Sequence, residues 1–176
     1  PPTNLANVGC YAFEPDVFEY IDRTPESERG EYEITTTIDL LLADDHRVDV
    51  AAYDGTWLDV GRPWELLDAT ELALGELEDG IENHGTVEEG VHLHGPVVIE
   101  DGARLRSGTY VEGPAVICAG AEVGPNAHIR GSTVVGPNAH VGQAVEVKNS
   151  VLMASASVGH QSYVGDSILG RDVNFG

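Results

Sequence analysis

Lysine is nearly missing from this 176-residue chain. Lys148 is the single one, within 9 basic residues set against 30 acidic ones, for a formal net charge of -21. A surface this acidic excludes nucleic acid and anionic membranes as partners, because both recruit positive charge. Long apolar runs are missing too: nothing approaches the roughly 18 consecutive residues that a membrane-crossing helix needs, and the start has no signal-peptide pattern. Cysteine is scarce. Cys10 and Cys118 lie far apart and make no disulfide framework, so a reducing, cytoplasmic setting is expected. The acid is spread along the chain rather than gathered in a disordered tail. An evenly acidic, lysine-poor surface suits a halophilic protein, in which salt screens the self-repulsion that opposes folding.

What is present includes 41% apolar residues, enough for one large or two small domains. From Val87 to Met153 an aliphatic residue returns at every sixth position, twelve times without a miss. Four positions after each stands a small or β-branched residue, such as Ala103, Thr109 or Ala127. This period fits neither a helix nor a hairpin, but it is the pattern of a hexapeptide-repeat β-helix. Each hexapeptide is then one short strand and one corner, with its aliphatic residue pointing in. Three such sides close a coil of eighteen residues, and successive coils stack as parallel strands about 4.8 Å apart.

Residues 1 to 62 lack the period. Asn7 to Phe13 reads as a strand, and Pro15 opens a short helix ending near Asp22. Thr24 to Gly30 is a polar loop. Glu33 to Ala43 carries Ile34, Ile38, Leu41 and Leu42 at helical spacing, and Val48 to Tyr53 alternates as a strand. Asp54-Gly55 is a two-residue turn signal, with Thr56 to Val60 returning as the hairpin partner. Pro63 starts a helix that Gly75 or Gly80 stops. The expected organisation is thus the C-terminal part of an α/β domain over 1–62, a linker helix over 63–80, and a β-helix over 81–176. The chain begins without Met and stops at Gly176 in mid-repeat, so it is expected to be a piece of something longer.

Counting in eighteens singles out Arg130 and Lys148. Each directly follows an inward aliphatic residue, so the two should stand one above the other on the same outer face. Like charges on neighbouring strands repel. A bound anion such as a phosphate accounts for the pair, and a solvated pair beside acidic neighbours such as Glu146 is the alternative. The period slips after Met153: the next aliphatic intervals are five, six, five and six residues. Between slips lies Gly159-His160-Gln161-Ser162-Tyr163, where His160 is a candidate to take a proton from an attacking amine near neutral pH. His84, His92 and His94 lack a carboxylate or cysteine at diagnostic spacing and read as surface corners.

The segment Trp57-Leu58-Asp59-Val60-Gly61 resembles the W-x-D-x-G motif of sugar-1-phosphate nucleotidyltransferases, and Asn7-Val8-Gly9 and Gly30 to Thr35 resemble two further stretches of that family, in the same order. The resemblance implies that Asp59 helps bind Mg²⁺, which bridges the nucleotide phosphates, and that Asn7, Gly9 and Glu31 line the sugar pocket. That family's glycine-rich nucleotide loop and second metal aspartate lie N-terminal to this segment. Val145 to Ser150, Gly159 to Asp166 and Asp172 to Gly176 resemble the acetyltransferase half of the bifunctional enzymes that combine N-acetylglucosamine-1-phosphate uridyltransferase and glucosamine-1-phosphate acetyltransferase activities. Archaeal members with broader sugar-phosphate specificity share the layout. That resemblance implies a left-handed parallel β-helix, a homotrimer with sites between subunits, and acetyl-CoA with UTP or dTTP as co-substrates. It implies that Arg130 and Lys148 bind the sugar phosphate, that His160 is the general base, and that Tyr163 and Asn174 contact the sugar or its phosphate. In that family the coils that hold acetyl-CoA lie C-terminal to the stretch matched here. Two other readings stay open: a nucleotidyltransferase whose β-helix serves only assembly or regulation, and a non-enzymatic trimeric scaffold.

Overall fold

The aliphatic residues at sixfold spacing form one continuous core. In the computed structural model, which describes residues 4–176, Ile99, Leu105, Val111, Ile117, Val123, Ile129, Val135, Val141 and Val147 are all fully buried. The small residue two positions before each, for example Ala103, Ala115, Ala121 or Thr133, is buried beside it. This pairing explains the second constraint in the sequence: only a small or β-branched side chain fits next to the larger one at a strand's entry.

Short strands repeat around three sides. Side one stacks Ile81–Asn83, Val97–Ile99, Ala115–Ile117, Thr133–Val135, Val151–Leu152 and Ile168–Leu169. Side two stacks Thr86–Val87, Arg104–Leu105, Glu122–Val123, His140–Gln143, Ser157–His160 and Asn174–Phe175. Side three stacks His92–His94, Tyr110–Glu112, His128–Arg130, Glu146–Lys148 and Tyr163–Gly165. Every ladder is parallel, so each strand pairs with the equivalent strand of the next coil, as a β-solenoid requires.

The slip lies earlier than the sequence spacing places it. Leu152 is fully buried and Met153 only partly so, which makes Leu152 the inward residue after Val147. Pairing shows the same shift: Thr133 pairs with Ala115, eighteen residues away, but Val134 pairs with Val151, seventeen away. The lost residue is at the corner. Arg130 and the buried Thr133 are separated by Gly131 and Ser132, whereas Asn149 alone separates Lys148 from the buried Ser150. Ser150 Oγ caps the tighter corner by donating to the Lys148 carbonyl at 2.7 Å and accepting the Ser167 amide at 3.1 Å. Residue spacing alone cannot reveal this, because Met153 preserves the period while Leu152 does the packing.

Residues up to Trp57 form one compact unit and Leu58–Gly176 another. In the first, helices α1 (Val17–Arg23) and α2 (Ile34–Ala43) bury Val17, Tyr20 and Leu41 against each other. Thr24 and Thr37 share a buried hydroxyl contact of 2.7 Å. Tyr20 Oη and Arg23 Nη1 both donate to Asp44 Oδ2, at 2.9 and 3.0 Å. The strands expected over residues 7–13, 48–53 and 56–60 are not formed; those stretches carry no helix or strand and are exposed. A lone hairpin buries too little to hold itself together, and Val50 and Tyr53 remain exposed with no layer over them. In the second unit, helix α3 (Glu65–Gly75) precedes the solenoid. Glu65 Oε2 accepts the amides of Gly61 and Arg62 at 2.8 and 2.7 Å, fixing its start. No helix among the described residues is long and apolar enough to cross a membrane.

Candidate functional site

A strand of three residues with its middle one buried turns the two others outward. Side three therefore carries two outer columns. Along the edge next to side one run His94, Glu112, Arg130, Lys148 and Gly165; along the edge next to side two run His92, Tyr110, His128, Glu146 and Tyr163. Arg130 and Lys148 are ladder partners, as counting in eighteens requires. His92 and His94 stand on a strand rather than at corners, because Leu93 between them packs inward.

Arg130 and Lys148 line a cleft of about 390 Å³ with Glu71 of α3, Glu112, Gly131, Ser132 and Asn149. Both cations also have carboxylate neighbours. Arg130 Nη1 donates to Glu146 Oε1 at 2.9 Å, and its Nε lies 4.0 Å from Glu112 Oε2. Lys148 Nζ lies 3.8 Å from Asp166 Oδ2. The Glu146 hydrogen bond raises the already high pKa of Arg130 further, so its charge is permanent. Both side chains remain about 40% exposed, at 42% and 41%. These contacts are screened surface ion pairs that a better anion can displace. Asn149 donates from Nδ2 to Asp166 Oδ1 at 2.7 Å, while its Oδ1 is shielded from solvent and has no partner in the protein.

His160 ends its strand on side two beside Gln143, and Tyr163 opens the next strand on side three beside Glu146. The two flank one corner, which Ser162 Oγ tightens by donating to the His160 carbonyl at 2.8 Å. Both side chains are exposed. Asn174 is not gathered with them. It pairs with Ser157, at the opposite end of the side-two strand from His160, roughly 10 Å along the chain direction.

In the first unit Asn7 Oδ1 accepts the Gly9 amide at 2.9 Å, and Gly9 takes a positive φ of 76° that suits glycine. Trp57 Nε1 donates to the Val8 carbonyl at 3.2 Å, joining two motifs that are 49 residues apart. Glu31 is exposed, and its amide donates to Ser27 Oγ at 3.4 Å. Asp59 is exposed and supplies one hard oxygen; no group of three or more His, Cys, Asp or Glu able to hold a metal occurs among the described residues. That donor set fits Mg²⁺ held chiefly by nucleotide phosphates and water, rather than a resident ion. Glu71, Glu112 and Asn149 escaped the sequence reading. Glu112 was within reach, because it lies eighteen residues before Arg130; Glu71, on a helix outside the repeat, carried no signal.

The structure defines a class: a small helical unit followed by a parallel hexapeptide-repeat solenoid. Residues 1–76 match the family model described as nucleotidyl transferase, and residues 111–176 match that of the GMPPB C-terminal domain. The chain is 47% identical over all 176 residues to the bifunctional sugar-1-phosphate nucleotidylyltransferase/acetyltransferase of Sulfurisphaera tokodaii, covering 43% of that protein. It is 44% identical over its whole length to the bifunctional protein GlmU of Methanocaldococcus jannaschii, of which it covers 42%. It is 39% identical, again over its whole length, to the low-salt glycan biosynthesis nucleotidyltransferase Agl11 of Haloferax volcanii, covering 48%. Along its whole length the chain is similar to bifunctional sugar-1-phosphate nucleotidylyltransferase/acetyltransferases, and it spans less than half the length of these relatives.

Proposed function

We propose that the whole protein makes a nucleotide sugar in two steps. The solenoid transfers acetyl from acetyl-CoA to the amine of glucosamine-1-phosphate, and the nucleotidyltransferase part transfers a nucleotidyl group from UTP or dTTP to a sugar-1-phosphate. The observation that carries this reading is the pairing of Arg130 with the chain's single lysine, Lys148, on one cleft. A chain with 30 acidic residues has no stability reason to stack two of its few cations. A phosphate held between them explains the arrangement.

The sugar then extends across side three from the Arg130 and Lys148 column towards Tyr163 and His160. A strand is about 7 Å wide between outward residues, comparable to a hexose ring. His160 accepts the proton as the amine nitrogen attacks the thioester carbonyl; the new C–N bond forms, the C–S bond breaks and coenzyme A leaves. Asn174 lies away from this group, which suits a site completed by a second copy in a homotrimer. When bound, Mg²⁺ offsets phosphate charge in nucleotidyl transfer, and Asp59 is the residue of this chain that would hold it. Both co-substrates suit the cytoplasm, and the acidic, lysine-poor surface suits high salt.

The test is thiol release by the whole protein, in high salt, with glucosamine-1-phosphate and acetyl-CoA. His160→Ala is expected to remove at least about 100-fold of the rate; full activity in that variant would overturn the assignment. A second reading, nucleotidyl transfer with a solenoid that serves only assembly, draws support from the Haloferax relative, whose name records nucleotidyl transfer alone. Under it, Asp59→Ala abolishes nucleotidyl transfer while no acetyl transfer is found in any form of the protein.

A further inference from the structure

The cleft contains more than cations. Its rim combines Arg130 and Lys148 with the carboxylates of Glu71 and Glu112 and with Asn149. Glu146 and Asp166 already stand against the two cations. For a bare anion this is a poor site, since each lining carboxylate repels it. The carboxylates share a different property: they accept hydrogen bonds and donate none. Asn149 Oδ1 has no partner in the protein, but it is shielded from solvent and so is not offered to a ligand. The ligand that satisfies both halves of the cleft carries negative charge at one end and several hydrogen-bond donors around it. A polyol phosphate meets that description, and a plain tetrahedral dianion such as sulfate, with no hydrogen to donate, does not.

We propose that Glu71 of α3 and Glu112 are specificity-determining residues of the anion cleft, accepting sugar hydroxyls and repelling anions that have none. This rests on the reading that the cleft takes a sugar phosphate. It gives α3 a part in recognition: Glu71 faces the cleft from outside the repeat, on the helix that enters the solenoid. It also fits a protein that works amid concentrated salt, where simple anions compete for any exposed pair of cations.

Titration calorimetry on the whole protein tests this without relying on turnover. Glucosamine-1-phosphate and sodium sulfate are titrated separately at constant ionic strength into the wild type, Glu71→Gln, Glu112→Gln and Arg130→Ala, with unfolding midpoints recorded for each. Glu71→Gln is expected to bind sulfate about two- to fivefold more tightly, the range of an exposed charge contact, and glucosamine-1-phosphate about two- to fivefold more weakly. Glu112→Gln is expected to shift both in the same senses. Opposite shifts for the two ligands are something a merely structural role would not produce. If both ligands shift together, or neither shifts, while Arg130→Ala still weakens sugar-phosphate binding about tenfold or more, the role of the carboxylates is overturned and the cleft stands. If Arg130→Ala leaves the affinity for glucosamine-1-phosphate unchanged, the cleft reading itself falls and the carboxylate role with it.

Discussion

Lys148 sits directly on Arg130, one coil further along the same column of side three. Two adjacent cations bring repulsion to the fold, partly relieved by Glu146 and Asp166. Replacing either with Ala is therefore expected to weaken sugar-phosphate binding about tenfold or more, the worth of a charge-assisted hydrogen bond, while the unfolding midpoint stays within a few degrees. Calorimetric titration with glucosamine-1-phosphate and a thermal melt check the two halves separately. A variant that loses stability in step with affinity would show the pair to be structural.

The inward column at the slip makes a sharper packing prediction. Leu152 is fully buried and Met153 is not, although Met153 continues the sixfold count. Leu152→Ala is expected to lower stability by about 2–5 kcal/mol, and Met153→Ala by less than about 1 kcal/mol. Urea unfolding of both variants decides the matter. Equal losses would return the slip to the position the sequence suggests.

The solenoid was legible because its core is one-dimensional: residues such as Ile117, Ile129 and Val141 repeat a single environment, so their spacing reads out the fold. The same regularity exposed Arg130 and Lys148. It hid the shortened corner, where Ser150 replaces a longer turn, because a buried serine looks like any surface one until its hydrogen bonds are known. Glu71 was invisible because it reaches the cleft from α3, outside the period. In the first unit the alternation of Val48 to Tyr53 suggested a hairpin. Alternation records which residues tend to be covered, but it does not supply the cover.

Ser150 provides a third measurement. Its hydroxyl is both donor and acceptor at the shortened corner, between the Lys148 carbonyl and the Ser167 amide. Ser150→Ala leaves both groups without that partner in a buried place, at an expected cost of about 1–3 kcal/mol. Because the corner also sets the direction of Lys148, affinity for the sugar phosphate should fall as well. Chemical unfolding with parallel binding titrations tests both effects; unchanged stability would show that water replaces the hydroxyl at no cost.

Asp44 ties the pH response of the first unit to one cluster. Hydrogen bonds from Arg23, and then from Tyr20, hold its carboxyl below the ordinary value of 3.8. Burial, and then the Asp44 carboxylate, push the Tyr20 phenol above its ordinary 10.0. A depressed carboxylate pKa contributes stability that is present above the ordinary value and lost as pH falls through the folded one. A raised phenol pKa works at the other end: its contribution is present below pH 10.0 and lost as pH rises through the folded value. The packing of α1 on α2 should therefore hold across neutral pH and loosen at both extremes. Asp44→Asn is expected to destabilise these helices near about pH 6 and to approach the wild type in acid, as pH falls through the value of the folded carboxyl and the native side chain itself takes up a proton. Helical circular dichroism during urea unfolding under the two conditions measures this directly. A difference that persists undiminished in acid would mean that Asp44 acts through shape rather than through its charge.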